Sequence, residues 1–267
     1  MLDTLVLIKV AATVFIVVGL SLVAEHLKPR VAGVLSGFPL GVGISLFFYG
    51  YEISPEFAAD SAVYTLVGLV AIQGFNLFYY LTSSKVRRFA VPLSAAGGLA
   101  GFFLVSWLLH FISVGLLGGL LIALVSMAFF IYLFNHIDNH EIKARVQLSH
   151  QVLLARALVA AAVIVVVTGA AEWLGTLWAG LFAAFPFTLL PLLAIVHYTY
   201  ERKHAHTILK NFSQGLGAII CYIPTVWFCY PRFGVGWGTV IALSVAAGYL
   251  VIYGFYVTRR DAARGRT

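Results

Sequence analysis

Residues 24–40 read AEHLKPRVAGVLSGFPL, and residues 171–187 read AEWLGTLWAGLFAAFPF. Seven of these seventeen positions are identical at a fixed offset of 147: Ala24/Ala171, Glu25/Glu172, Leu27/Leu174, Ala32/Ala179, Gly33/Gly180, Phe38/Phe185 and Pro39/Pro186. Without gaps, the same offset pairs Lys9 with Arg156, Tyr51 with Tyr198, Gly68 with Gly215, Ala71 with Ala218 and Gly101 with Gly248. Apolar residues coincide easily by chance, but a shared glutamate and a shared Phe-Pro do not. The chain reads as two homologous halves, so its fold must satisfy one pattern twice.

Composition sets the solvent. Hydrophobic residues make up 61% and charged residues 10%, against about 25% charged in an ordinary soluble domain. The apolar runs are about 20 residues long, the length that crosses a bilayer as a helix. Nine are expected, at 2–24, 31–50, 57–81, 90–111, 114–134, 150–171, 177–197, 208–230 and 236–257. The first lacks the basic start of a signal peptide, because Asp3 is the only charge before Lys9. It also aligns with the sixth, and it is read as a structural helix. Cys221 and Cys229 share one predicted helix about 12 Å apart, too far for a disulfide, and read as small packing residues.

The basic residues sort to one side. Lys28, Arg30, Lys85, Arg87, Arg88, Lys143, Arg145, Arg156, Arg202, Lys203, Lys210, Arg259, Arg260, Arg264 and Arg266 fall on one side, and only Lys9 and Arg232 on the other. The rich side is expected in the cytoplasm, so the N-terminus is outside and the C-terminus inside. The net charge of +7 then suits an anionic inner leaflet and requires no nucleic acid. Five helices separate the starts of the two copies, an odd number, so the halves are inverted. The expected fold is an all-α polytopic membrane protein with an inverted 4+1+4 repeat. Residues 1–112 form the first four-helix repeat, 113–149 a linker helix and cytoplasmic loop, 150–258 the second repeat, and 259–267 a basic tail.

The candidate site follows from residues that are costly in lipid. Phe38-Pro39 and Phe185-Pro186 fall mid-helix, where proline removes a backbone donor and leaves carbonyls without partners. Broken helices of this kind form binding sites where transporter repeats meet. Gly37, Gly41 and Thr188 lie beside them on a small-residue stripe suited to close helix contact. The intramembrane amides Gln73, Asn76, Asn211 and Gln214 are the other expected substrate contacts. Glu25 and Glu172, each with a hydroxyl four residues earlier (Ser21 and Thr168), are the candidate ion-coupling groups, since an intramembrane carboxylate marks an ion or proton path. Lys9 and Arg156 are the matched cations, read as charge partners or anion contacts. His136, His140, His150, His197, His204 and His206 show no compact metal-ligand spacing, so neither a metal nor a cofactor is expected. No phosphate loop or nucleophile motif occurs, and no catalytic residues are assigned.

The element Ala-Gly-x-x-x-x-Phe-Pro, here AGVLSGFP and AGLFAAFP, resembles the start of the second helix in the GlpM-like family of small bacterial membrane proteins. The likeness extends over roughly residues 1–110 and again 148–257. It implies a half-size ancestor that paired antiparallel and later fused; it implies no substrate.

The expected function is secondary transport of a small polar or anionic solute across a bacterial cytoplasmic membrane, coupled to protons or another cation, by alternating access. A lipid or lipid-linked saccharide translocase is the second reading, and a non-transporting scaffold for envelope synthesis the third. The expected partners are a small-molecule or lipid substrate, membrane lipids, and a second copy as a homodimer; an enzyme is not expected.

Overall fold

The computed structural model describes residues 2–25, 29–140 and 150–263. Among these described residues nine α-helices follow in order: α1 (Leu2–Glu25), α2 (Pro29–Ser36), α3 (Leu40–Glu52), α4 (Pro55–Lys85), α5 (Ala90–Leu109), α6 (Leu116–Leu133), α7 (His150–Ala183), α8 (Leu189–Thr199) and α9 (Arg202–Ala263). A 3₁₀ turn, Phe134–His136, follows α6. Among the described residues there is no strand, and six helices are long and apolar enough to cross a membrane. The chain is thus an all-helical protein of membrane type.

The helix boundaries have local causes. Ser54 caps α4 by accepting from the Phe57 N–H at 3.0 Å, Pro55 fills the first turn, and Glu56 and Lys85 match the two ends of the helix dipole. Pro39 separates α2 from α3, because its ring cannot follow a helical turn and Phe38 before it is pushed out of the helical region. Pro186 does the same between α7 and α8. Two of the nine apolar runs end at glycine rather than at a loop. The run at 150–171 reaches the kink at Gly175 within α7, and the run at 208–230 reaches the kink at Gly234 within α9. These glycines have φ/ψ of 73°/171° and 75°/166°. Each is a non-helical residue between two helical stretches, so α7 and α9 are each two helices that meet at a glycine kink.

Only glycine tolerates that backbone. Gly175→Ala and Gly234→Ala should each cost about 1–3 kcal/mol, although open space surrounds both positions. Gly254, also in open space but helical, should gain up to about 1 kcal/mol as alanine. Thermal unfolding of the three variants in detergent checks this, and equal midpoints would refute the strain.

α4 is the central helix. It carries the fully buried Leu66, Leu69, Phe75 and Tyr79 and packs against α5, α7 and α9. The outer faces of α5 and α6 are apolar and exposed at Phe103, Trp107, Leu117 and Leu121, a surface matched to lipid. Side-chain contacts define the two ends of the bundle. At one end, His110 after α5 stacks on Trp178 beside the Gly175 bend with centroids 4.8 Å apart, and Gly50 near the end of α3 lies against Val235 beside the Gly234 bend. At the other end, Tyr80 meets His136 at 3.2 Å, Ser83 meets His206 at 2.8 Å, and Arg202 donates to the Ser84 carbonyl at 3.1 Å.

Candidate functional site

The two proline breaks have the same backbone wiring. At the first, Gly37 N–H donates to the Val34 carbonyl (3.0 Å), Phe38 to Leu35 (2.9 Å), Leu40 to Phe38 (2.8 Å) and Gly43 to Pro39 (2.7 Å). At the second, Ala184 donates to Leu181 (3.2 Å), Phe185 to Phe182 (3.0 Å), Phe187 to Phe185 (2.7 Å) and Leu190 to Pro186 (3.0 Å). The helices thus tighten, stop, turn and restart in one register. Four half-helix ends meet there: the C-termini of α2 and α7 and the N-termini of α3 and α8.

A small cavity of about 20 Å³ lies between these ends, room for one or two waters. Ser36, Phe38, Gly41 and Val42 line it from the first break, and Ala184, Phe185, Pro186, Phe187 and Thr188 from the second. α4 adds Leu69 and Ile72, and α9 adds Phe212 and Ile219. The structure thus brings Phe38, Gly41, Phe185, Pro186 and Thr188 into one wall. Pro39 is buried beside them. Gly37 instead lies against the backbone of Gly215 on α9. Phe187 and Phe212 are additions that the sequence did not single out.

Glycine contacts hold the first break against α9 and the second against α4. Gly33 of α2 faces Ile208 and Asn211 of α9, and Gly215 of α9 faces Val34. Gly180 of α7 faces Ser61, Tyr64 and Thr65 of α4, and Gly68 of α4 faces Leu181 and Ala184.

The amides divide into two groups. Gln73 and Asn76 are fully buried; Asn76 Nδ2 donates to Gln73 Oε1 at 2.9 Å, and Ser213 Oγ donates to the same oxygen at 3.1 Å. Asn211 and Gln214 turn elsewhere. Asn211 Nδ2 donates to Asn139 Oδ1 (2.8 Å) and to the Thr207 carbonyl (2.7 Å), and Gln214 Oε1 accepts from the Tyr253 hydroxyl.

Lys9 and Glu172 lie outside the cavity wall. Lys9, only 4% exposed, donates from Nζ to Glu52 Oε2 at 2.7 Å and to Thr168 Oγ1 at 2.7 Å, and it sits 5.4 Å from the Phe48 ring centroid. Thr168 is therefore a ligand of Lys9. Its own hydroxyl donates to the Ile164 carbonyl at 2.8 Å. Glu172 is exposed near the Gly175 bend. The side chains of Ser21, Glu25 and Arg156 lie outside the described residues, although their backbone is helical. Glu52 is the charge partner that the sequence reading missed. Its signal was present: Lys9 needs a counter-charge, acids are scarce, and Glu52 ends its helix. No group of three or more metal-ligating side chains occurs among the described residues. Comparison of the chain with family models, curated proteins and solved structures finds no match.

Proposed function

We propose that the chain is a secondary transporter of a small polar or anionic solute in a bacterial cytoplasmic membrane, built as two inverted four-helix repeats joined by one linker helix. The observation that carries this reading is the pair of identically wired breaks enclosing one cavity. Each hydrogen bond at the first break recurs 147 residues later at the second, the offset of the sequence repeat. The glycine contacts recur with their roles exchanged. Gly33 against Ile208 and Asn211 becomes Gly180 against Ser61 and Tyr64, and Gly215 against Val34 becomes Gly68 against Leu181. Such reciprocity is what a twofold axis produces, and the lining of the cavity by both members of Ile72/Ile219 and Phe38/Phe185 supports a site on that axis.

The bends at Gly175 and Gly234 support nine spans, since each divides a long helix near the end of an apolar run. All five tryptophans, Trp107, Trp173, Trp178, Trp227 and Trp237, lie close to α5's C-terminus or to these bends. That position fits an aromatic belt at the outer interface. The basic residues then occupy the cytoplasmic face. Rocking of one half about the axis would expose the cavity to each side in turn. Residual helix-end charges at the breaks are suited to polar groups. Coupling to a proton or cation completes the reading, with Glu25 and Glu172 as its matched carboxylates.

Counterflow in proteoliposomes tests it. Vesicles preloaded with a metabolite extract should accumulate at least one labelled solute above protein-free controls. Glu25→Gln and Glu172→Gln should flatten the pH dependence of that flux. Protein-independent flux for every solute would sink the transporter reading, and unaltered pH profiles would remove the glutamates from coupling.

A further inference from the structure

At the end assigned to the cytoplasm, α4 of the first half is bonded to α8 and α9 of the second. Tyr79 Oη lies 3.1 Å from His197 Nδ1, and Ser83 Oγ lies 2.8 Å from His206 Nε2. Arg202 donates to the Ser84 carbonyl at 3.1 Å. The Tyr80 and His206 rings meet edge to face with centroids 4.7 Å apart. Tyr79, Ser83 and His197 are buried. Rocking one half against the other, so that this end opens, has to part these contacts.

The hydrogen at His206 follows from counting. The Ser83 hydroxyl donates its one hydrogen to the Tyr80 carbonyl at 3.0 Å, so His206 Nε2 carries the hydrogen that it shares with Ser83. A proton added to neutral His206 therefore goes to Nδ1, and it brings a positive charge into a basic corner. Arg202 stands four residues earlier on α9, on the same helix face. His197 of α8 and His140 beyond the 3₁₀ turn are the other imidazoles whose charge acts on it. On α4 the titratable neighbours are Tyr79 and Tyr80, with Lys85 at the helix end, and His136 meets Tyr80 rather than His206 at hydrogen-bond distance. Among the described residues the acids of this end are Asp138 and Glu201; both are exposed, and Glu201 is paired with Lys203 at 3.0 Å.

His206 lies two residues before the apolar run at 208–230, outside the span. Burial, and after it His197, Arg202 and His140, push its imidazole down to about 4. Once parted from α4 and wetted, the imidazole returns to about 6.5. The closed end thus favours neutral His206 and the open end favours the protonated form. The preference for the closed end is complete above about pH 6.5 and is lost as the pH falls toward about 4.

We propose that the last turns of α4, Tyr79 to Ser84, and the corner of α8 and α9, His197 to His206, form a proton-operated latch on the cytoplasmic end, closed while His206 is neutral and released when it is protonated. This inference rests on the transporter reading and its topology, and it adds the group through which internal pH acts on the cycle.

Spin labels at Lys85 and Tyr198, exposed positions flanking the latch, report its width by pulsed dipolar spectroscopy. The full chain is placed in lipid nanodiscs, with Cys221 and Cys229 replaced by alanine. Lowering the pH from about 7.5 to about 5.5 should raise the ratio of long to short distances about tenfold, the factor that follows from an imidazole at about 4 when closed and about 6.5 when open. His206→Gln keeps a donor toward Ser83 and takes up no proton, so it should show the short distance at both pH values. His206→Lys carries its charge throughout this range and should show the long distance at both; if it does not fold, His206→Gln alone decides. A distance distribution that ignores pH, or a pH response that survives in His206→Gln, overturns the latch. Solute flux in proteoliposomes without pH-dependent opening likewise removes the latch and leaves the transporter standing. Opening without flux keeps the latch and removes the transporter.

Discussion

Gly215→Val should leave the protein largely unfolded. A Cβ at Gly215 would overlap the carbonyl of Val34, and a Cβ at Gly37 on the facing helix would overlap the backbone of Gly215. The crossing of α2 over α9 is therefore backbone against backbone, and neither neighbour can rotate away. Overpacking a core costs about 1–3 kcal/mol when side chains can shift. Here a whole helix must move, so the loss should exceed about 3 kcal/mol, a large part of a typical stability of about 5–15 kcal/mol. The crossing at the matching sequence offset of 147 supplies an internal control. Gly68 stands where Gly215 does, but Ala184 replaces Gly37 opposite it, so that crossing already holds one methyl group. Gly68→Val should thus be the milder of the two. Gly217 is a second control: the three atoms nearest a Cβ there all belong to the far end of the Tyr249 side chain, which can swing aside more readily than backbone. Yield of monodisperse protein and its unfolding midpoint should rank Gly217→Ala above Gly68→Val above Gly215→Val. A Gly215→Val protein that behaves as wild type would show that α2 does not cross α9 this closely.

The breaks were legible in the sequence because proline acts through its own backbone, which needs no neighbour to take effect. Pro39 and Pro186 stop their helices where the duplicated Phe-Pro predicts, and Gly33 and Gly180 sit at close crossings for the same local reason. Side-chain destinations were much less legible. Gln73 and Asn76 share one helix face through their spacing, and they bond to each other. Asn211 and Gln214 have that spacing too, yet they reach Asn139 and Tyr253. Amide chemistry fixes the appetite for a partner but not its identity. The bends at Gly175 and Gly234 were hidden for another reason: an apolar run ending in glycine gives no sign of whether the chain leaves the helix or only turns within it. Phe187 and Phe212 could not be separated from the other aromatic residues, since 15% of the chain is aromatic. Glu52 escaped because it stands just beyond its apolar run and has no acidic mate at the offset of 147, where Thr199 stands.

That missing mate makes the Lys9–Glu52 pair an asymmetric lock, and the largest effect of a side-chain deletion is expected there. Lys9 joins α1 to α3 through Glu52 and to α7 through Thr168, each at 2.7 Å. Its side chain is 5% exposed and that of Glu52 19% exposed, so water can solvate the glutamate better than the lysine. Removing one member of a buried pair costs about 3–5 kcal/mol, because the other charge stays behind without compensation, whereas removing both is often close to neutral. Glu52→Gln should therefore be the most damaging change, as it strands the more buried ammonium. Lys9→Met should cost somewhat less, because the carboxylate left behind is partly wet. Thr168 is not orphaned in that variant, since its hydroxyl still donates to Ile164. The double variant should recover most of the loss, giving a coupling of about 2–3 kcal/mol in the cycle. Lys9→Arg should not substitute fully, because a planar guanidinium cannot reproduce the geometry of a point ammonium shared between a carboxylate and a hydroxyl. Unfolding of the four proteins under identical conditions decides the matter. Additive single effects, or single losses below about 1 kcal/mol as for an exposed ion pair, would mean that α1 is held by its apolar contacts with α7 and that the pair contributes little.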